Sequence, residues 1–147
     1  VNKVQHVGLT KRVSFLGNIL RGKDLINELD SMDLCVFPSF TEGLPRGVID
    51  AMARALPCIA SNVGGIPELL PYEDLVPPRD PVALAEKIES VANNPKKMEE
   101  MAKRNLRAAK KYRAEELSGR RTEHYKKLKE ITEASLSSAK LIYSPIK

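Results

Sequence analysis

Residues 34–70 read LCVFPSFTEGLPRGVIDAMARALPCIASNVGGIPELL, and this stretch decides the fold. An unbroken apolar run, Leu34 to Phe37, enters a turn-rich segment that holds one acid, Glu42, among small residues. A helical pattern over Gly47–Ala55 follows, with Val48, Met52 and Ala55 on one face and Asp50 on another. Pro57 closes it, a second apolar run covers Cys58–Ala60, and the chain reaches Gly64-Gly65-Ile66-Pro67-Glu68. Strand, loop, helix, strand, loop, helix is the cadence of parallel α/β units, whose ligands bind beyond the carboxyl ends of the strands. Both loops should therefore open on the same edge of one sheet.

Outward from this core the pattern continues. Before it, Val1–Leu9 reads as the end of a helix stopped by Gly8, Val13–Gly17 as a short strand, and Gly22–Met32 as a helix with Leu25, Ile26, Leu29 and Met32 on one face. After it come a minimal strand at Asp74–Val76 and an amphipathic helix with Asp80 as N-cap, Pro81 at its first position and Leu84, Ile88 and Val91 as its stripe. A further helix over Pro95–Lys111 should turn Met98, Met101, Ala102, Asn105, Leu106 and Ala109 inward. The last, about Ala114 to Ala134, is mostly polar, and the end beyond Ser135 is expected to fray.

At 147 residues, 42% of them hydrophobic, the chain has room for one domain with a real core and not for two. No apolar run approaches the roughly 18 residues that span a bilayer, and no secretory signal is visible. The sequence starts without Met, which reads as a fragment or a processed chain. Cys35 and Cys58 lie in strands without metal-ligand spacing, so both read as core thiols suited to a reducing cytoplasm. The net charge of +5 is uneven: residues 1–95 carry −3 and residues 96–147 carry +8. In that tail Lys and Arg alternate with Glu and no aromatics are arranged to stack bases, so nucleic acid is not the expected partner. A solvated helix face is the favoured reading of the tail, with a weak contact to anionic membrane lipids second.

Taken together, Pro38-Ser39, Glu42-Gly43-Leu44-Pro45, Asp50-Ala51-Met52-Ala53, Leu56-Pro57, Ile59-Ala60-Ser61, Gly64-Gly65-Ile66-Pro67-Glu68, Leu75-Val76-Pro77-Pro78 and Asp80-Pro81 resemble the donor-binding half of retaining group 1 glycosyltransferases. These are two-domain GT-B enzymes that take sugar from a nucleotide-sugar, and the likeness covers roughly residues 10–95. It implies a Rossmann-like parallel sheet with flanking helices over residues 1–111, the C-terminal domain of such an enzyme lacking its first two βα units, followed by a basic helical tail over residues 112–147. In the family Val13–Gly17 would be the third strand. With two strands missing between it and Leu34–Phe37, either direct pairing of these two or a homodimer through open strand edges is expected.

The same resemblance assigns roles. Glu42 and Asp50 match a family pair of Glu residues eight apart, with Asp in place of the second Glu. Glu42 would accept hydrogen bonds from donor-sugar hydroxyls and is the catalytic candidate, and Asp50 would accept them from the ribose. A carboxylate suits both tasks because it has lone pairs for vicinal diols. Gly43, Leu44, Arg46 and Gly47 open the helix, where free amides form an anion site for a diphosphate, and Gly64 and Gly65 let backbone approach the ligand closely.

His6 and His124 have no metal or triad partners, and the class needs no bound metal or other cofactor for donor binding. The implied partners are a nucleotide-sugar and, through an N-terminal domain missing here, an acceptor sugar or lipid-linked sugar. The implied place is the cytoplasm, extending to the inner face of the membrane. Alone, the chain would be inactive. Two other classes stay open: a sugar-nucleotide epimerase of the same fold, and a non-catalytic nucleotide-binding or interaction module.

Overall fold

The computed structural model describes residues 2–20 and 22–142. Three parallel strands, β1 (Cys35–Phe37), β2 (Cys58–Ser61) and β3 (Leu75–Val76), form one sheet in the order β1-β2-β3. The register pairs Cys35 with Cys58, Val36 with Ile59 and Phe37 with Ala60, then Ala60 with Leu75 and Ser61 with Val76. β2 is buried along its whole length because it is flanked on both sides, whereas β1 is only half-buried.

Alternation of side chains along β2 divides the core into two layers. Cys58 and Ala60 face α3 (Arg46–Ala53) and pack with Val48, Ala51, Met52, Leu56, Ile66 and Leu70. Ile59 faces the other way and packs with Val76, Val91 and Met101, against α4 (Pro81–Ala92) and α5 (Pro95–Ala109). The predicted N-cap of α4 is present: Asp80 Oδ1 accepts from the N–H groups of Val82 (3.1 Å) and Ala83 (2.9 Å), with Pro81 opening the helix.

Several expectations are corrected. Val13–Gly17 forms no strand: these residues are irregular, with Phe15 and Leu16 exposed, and β1 pairs with β2 alone among the described residues. An alternating pattern makes a strand only when a partner offers its hydrogen bonds, and direct pairing with β1 is absent. Ala55 is not on the helical face, because α3 ends at Ala53. Ala55 takes φ 59°, and the N–H groups of Ala55 and Leu56 return to the carbonyls of Met52 and Ala51, a Schellman-type stop. Leu106 is 41% exposed, because the buried stripe of α5 runs through Met101, Asn105 and Ala109 at strict four-residue steps.

α1 (Asn2–His6) ends before Gly8, which has φ 71° as its stop position requires. α2 (Lys23–Asp30) packs Leu29 on the core, while Ile26 and Met32 remain exposed. Its last residue grips the end of α3, with Arg54 Nε and Nη2 donating to Asp30 Oδ1 (2.5 Å) and Oδ2 (2.7 Å). α6 (Ala114–Ile142) leaves the domain after a 3-10 turn at Lys110–Tyr112, and its side chains are exposed from Ala114 to Leu136. It is longer than expected, since the backbone stays helical past Ser135 to Ile142. The last residues of the predicted tail, 143–147, and Val1 lie outside the described residues.

One polar tie crosses between the layers. Asn105, 1% exposed, donates through Nδ2 to the carbonyl of Leu56 at 2.8 Å and so satisfies the turn after α3. Beside it, Arg104 reaches across 30 residues of sequence to donate to the carboxylate of Asp74, itself 1% exposed at the entry of β3. Burial raises the Asp74 carboxyl above its ordinary 3.8, and the Arg104 guanidinium offsets this only in part.

Candidate functional site at the strand carboxyl ends

β1 ends at Phe37, and the loop Pro38–Pro45 carries the chain to the first turn of α3. Glu42 is half-buried in this loop, and Ser39 Oγ donates a hydrogen bond of 2.7 Å to its Oε1. Pro45 is the N-cap, in extended conformation and with no side-chain capping bond. The N–H groups of Arg46, Gly47 and Val48 precede the first intrahelical bond, which runs from Ile49 N to the Pro45 carbonyl at 3.4 Å. Arg46 and Gly47 are exposed residues and Val48 is buried, so the first two are the amides available to an anion at this helix start. Gly47 has its own packing reason for lacking a side chain: a Cβ there would stand 3.2 Å from the Phe37 ring.

The loop after β2 presses on this one. Gly65 N–H donates to the Gly43 carbonyl at 2.7 Å. A Cβ on Gly64, at φ 53°, would fall 1.9 Å from the Glu42 carbonyl oxygen, and one on Gly65 would fall 2.7 Å from that of Gly43. The Leu44 side chain also lies 3.2 Å from where a Gly65 Cβ would stand. Glu42, Gly43, Leu44, Gly64 and Gly65 are thus brought together as one latched pair of loops. Gly65 thus spends its N–H on Gly43 and does not offer it to a ligand.

Asp50 stands apart from this latch, on the flank of α3. It is half-buried and lines a cleft of about 350 Å³ with Gly22, Leu25, Ile26, Leu29, Ala53 and Arg54, between α2 and α3. Sequence reasoning gave no role to Ser39, although a Ser three residues before an acid is a spacing at which a hydroxyl reaches the carboxylate. It also missed a second cleft, of about 540 Å³, where Phe40, Ser61, Val76, Pro77, Arg79 and Leu84 meet at the carboxyl end of the other layer. There the Arg79 guanidinium lies over the Phe40 ring, 5.2 Å from its centroid, on a backbone with φ 63°. Among the described residues no three His, Cys, Asp or Glu side chains gather as a metal site. No described helix is long and apolar enough to cross a membrane.

Residues 1–94 match the family model described as glycosyl transferases group 1. The chain belongs to that family. The solved sucrose-phosphate synthase of Thermosynechococcus elongatus superposes on this group 1 glycosyltransferase domain with a TM-score of 0.77 and 31% identity, covering 86% of this chain and 33% of the other. HepE of Anabaena, solved in complex with UDP-glucose, gives 0.67 and 27% over 74% of this chain and 30% of its own. In sequence, the UDP-Gal:alpha-D-GlcNAc-diphosphoundecaprenol alpha-1,3-galactosyltransferase of Escherichia coli is 39% identical over 59 residues, 40% of this chain and 14% of that enzyme. The group 1 domain described here thus matches less than a fifth of the length of its curated relatives and about a third of these two solved chains.

Proposed function

We propose that the chain is the donor-binding domain of a retaining GT-B glycosyltransferase, which moves a sugar from a nucleotide-sugar to an acceptor held by a second domain. The observation that carries this is the latch: two loops at the carboxyl ends of β1 and β2 lock together through Gly64 and Gly65, and the loop that bears Glu42 leads straight into the first turn of α3. A charged acceptor for sugar hydroxyls next to a donor set for a diphosphate is the pair of subsites a nucleotide-sugar requires. One relative, HepE, solved with UDP and with UDP-glucose, supports that class of donor. In this reading Glu42 binds the sugar, the amides of Arg46 and Gly47 bind the diphosphate, and Asp50 takes the ribose hydroxyls. Donor binding calls on no metal. The lipid-diphosphate acceptor in the name of the Escherichia coli relative supports a lipid-linked acceptor and a working place at the cytoplasmic membrane surface.

The chain alone would not turn over, because retaining transfer needs donor and acceptor held in register by both halves of the cleft. The test is product formation by the full-length protein across a panel of UDP-, GDP- and ADP-sugars, with this chain as the inactive comparison. Turnover by the chain alone above background hydrolysis would overturn the division of labour.

Within the full-length protein the two acids separate. Glu42→Ala should lower turnover of the complete donor and leave the affinity for free nucleoside diphosphate unchanged. Asp50→Ala should weaken that affinity by about 1–3 kcal/mol, the cost of removing a charged acceptor from a polar contact. Asp50→Glu should be tolerated. Calorimetry with the nucleoside diphosphate decides: if Asp50→Ala binds it like the parent, the ribose assignment is wrong.

A further inference from the structure

The carboxylate that the proposed function depends on does not stand free. Glu42 follows Ser39 by three residues in a tight loop, both side chains are half-buried, and the Ser39 hydroxyl donates to Oε1 at 2.7 Å. Below the side chain, the Glu42 carbonyl is seated against Gly64 with no space for a Cβ, and the next carbonyl, of Gly43, is held by the Gly65 N–H. The backbone of Glu42 is therefore fixed from one side and one oxygen of its side chain from the other. A carboxylate has two oxygens and a freely turning terminal bond. With Oε1 engaged by Ser39, Oε2 is the oxygen left for a ligand hydroxyl.

We propose that Ser39 is a positioning residue: its hydroxyl holds Oε1 of Glu42 so that Oε2 meets a donor-sugar hydroxyl without a search over rotamers. This rests on the reading of Glu42 as the sugar-binding acid, and it adds how the acid is aimed. Ser39 itself touches no donor in this scheme. Its loss should therefore leave nucleotide affinity intact and appear in the chemical step, where binding energy placed on a fixed group counts most.

The experiment compares Ser39→Ala, Ser39→Thr and Glu42→Gln in the full-length protein, using as donor whichever sugar in the UDP-, GDP- and ADP-sugar panel turns over fastest. Rates, nucleoside diphosphate affinity and melting temperature are read for each. Ser39→Ala is expected to lower kcat by about 10- to 100-fold, the scale of one hydrogen bond to a charged group, with nucleotide affinity and melting temperature as in the parent. Ser39→Thr, which keeps the hydroxyl, should recover most of the rate. If Glu42→Gln is impaired while Ser39→Ala has the kcat of the parent, Ser39 aims nothing, and the reading of Glu42 survives without it. If Ser39→Ala loses nucleotide affinity and melting temperature together, the serine holds the loop and not the carboxylate, and the proposal fails. If Glu42→Gln turns over like the parent, or no panel member is turned over, the reading of Glu42 falls and the role of Ser39 falls with it.

Discussion

Gly64→Ala is expected to destabilise the domain by about 2–5 kcal/mol, and the damage should centre on the Glu42 loop. Two costs add. The backbone at Gly64 has φ 53°, which an L side chain occupies at a penalty of about 1–2 kcal/mol. The new methyl would also meet a backbone oxygen, that of Glu42, at 1.9 Å, and overpacking against atoms that cannot rotate away costs about 1–3 kcal/mol. Relief requires the two loops to part, which would break the Gly65 to Gly43 hydrogen bond and move the acid. Gly119 gives the contrast. It lies inside α6 with nothing within 4 Å of an added Cβ, so Gly119→Ala should leave stability unchanged or raise it by up to about 1 kcal/mol. Urea unfolding of both variants checks this, and a Gly64→Ala midpoint equal to that of the parent would show that the latch yields freely.

The second large effect is expected at Arg104. Its Nη2 donates to Oδ2 of the buried Asp74 carboxylate, whose Oδ1 has no hydrogen-bond partner. Arg104→Met keeps most of the apolar volume and removes the charge, leaving an unpaired buried carboxylate at a cost of about 3 kcal/mol. The sign of the pH dependence follows from burial. Asp74 already titrates above its ordinary 3.8, so the folded state holds its proton more tightly than the unfolded state does. The stability this contributes is present below 3.8 and is lost as the pH rises through the folded value. Without Arg104 the folded value rises further, so the deficit of Arg104→Met should be largest near neutrality and should shrink as the pH falls toward 4. Adding Asp74→Asn to Arg104→Met should recover part of the loss at pH 7. A deficit independent of pH would assign the effect to packing.

How much of this was legible before the structure differs from residue to residue. The layers were, because Leu34–Phe37, Cys58–Ala60 and the stripe at Val48 and Met52 state their periodicity locally, and Asp80-Pro81 states a helix start in two residues. The tie between Asp74 and Arg104 was not: an acid beside Glu73 and one cation among many in a basic helix look like solvated surface until 30 residues of separation are folded away. Gly64-Gly65 could be read as a place of close approach, but a pair of glycines does not say whether ligand or backbone comes near. Here backbone does, at both positions. Val13–Gly17 shows the opposite limit, since a strand pattern describes what a segment could pair with and supplies no partner.

The side-by-side cysteines have a kinetic consequence. Cys35 and Cys58 are register partners on neighbouring strands and face the same layer beneath α3, and both are free thiols. Hydrogen bonding with Cys35, and then burial, push the Cys58 thiol up, so the nucleophilic thiolate is scarce there while the sheet is closed. Alkylation of Cys58 must then wait for β1 and α3 to lift from β2, whereas the half-buried Cys35 is reached sooner. The interval between the two modifications becomes a clock for opening of the sheet, carried by the native sequence without an added label.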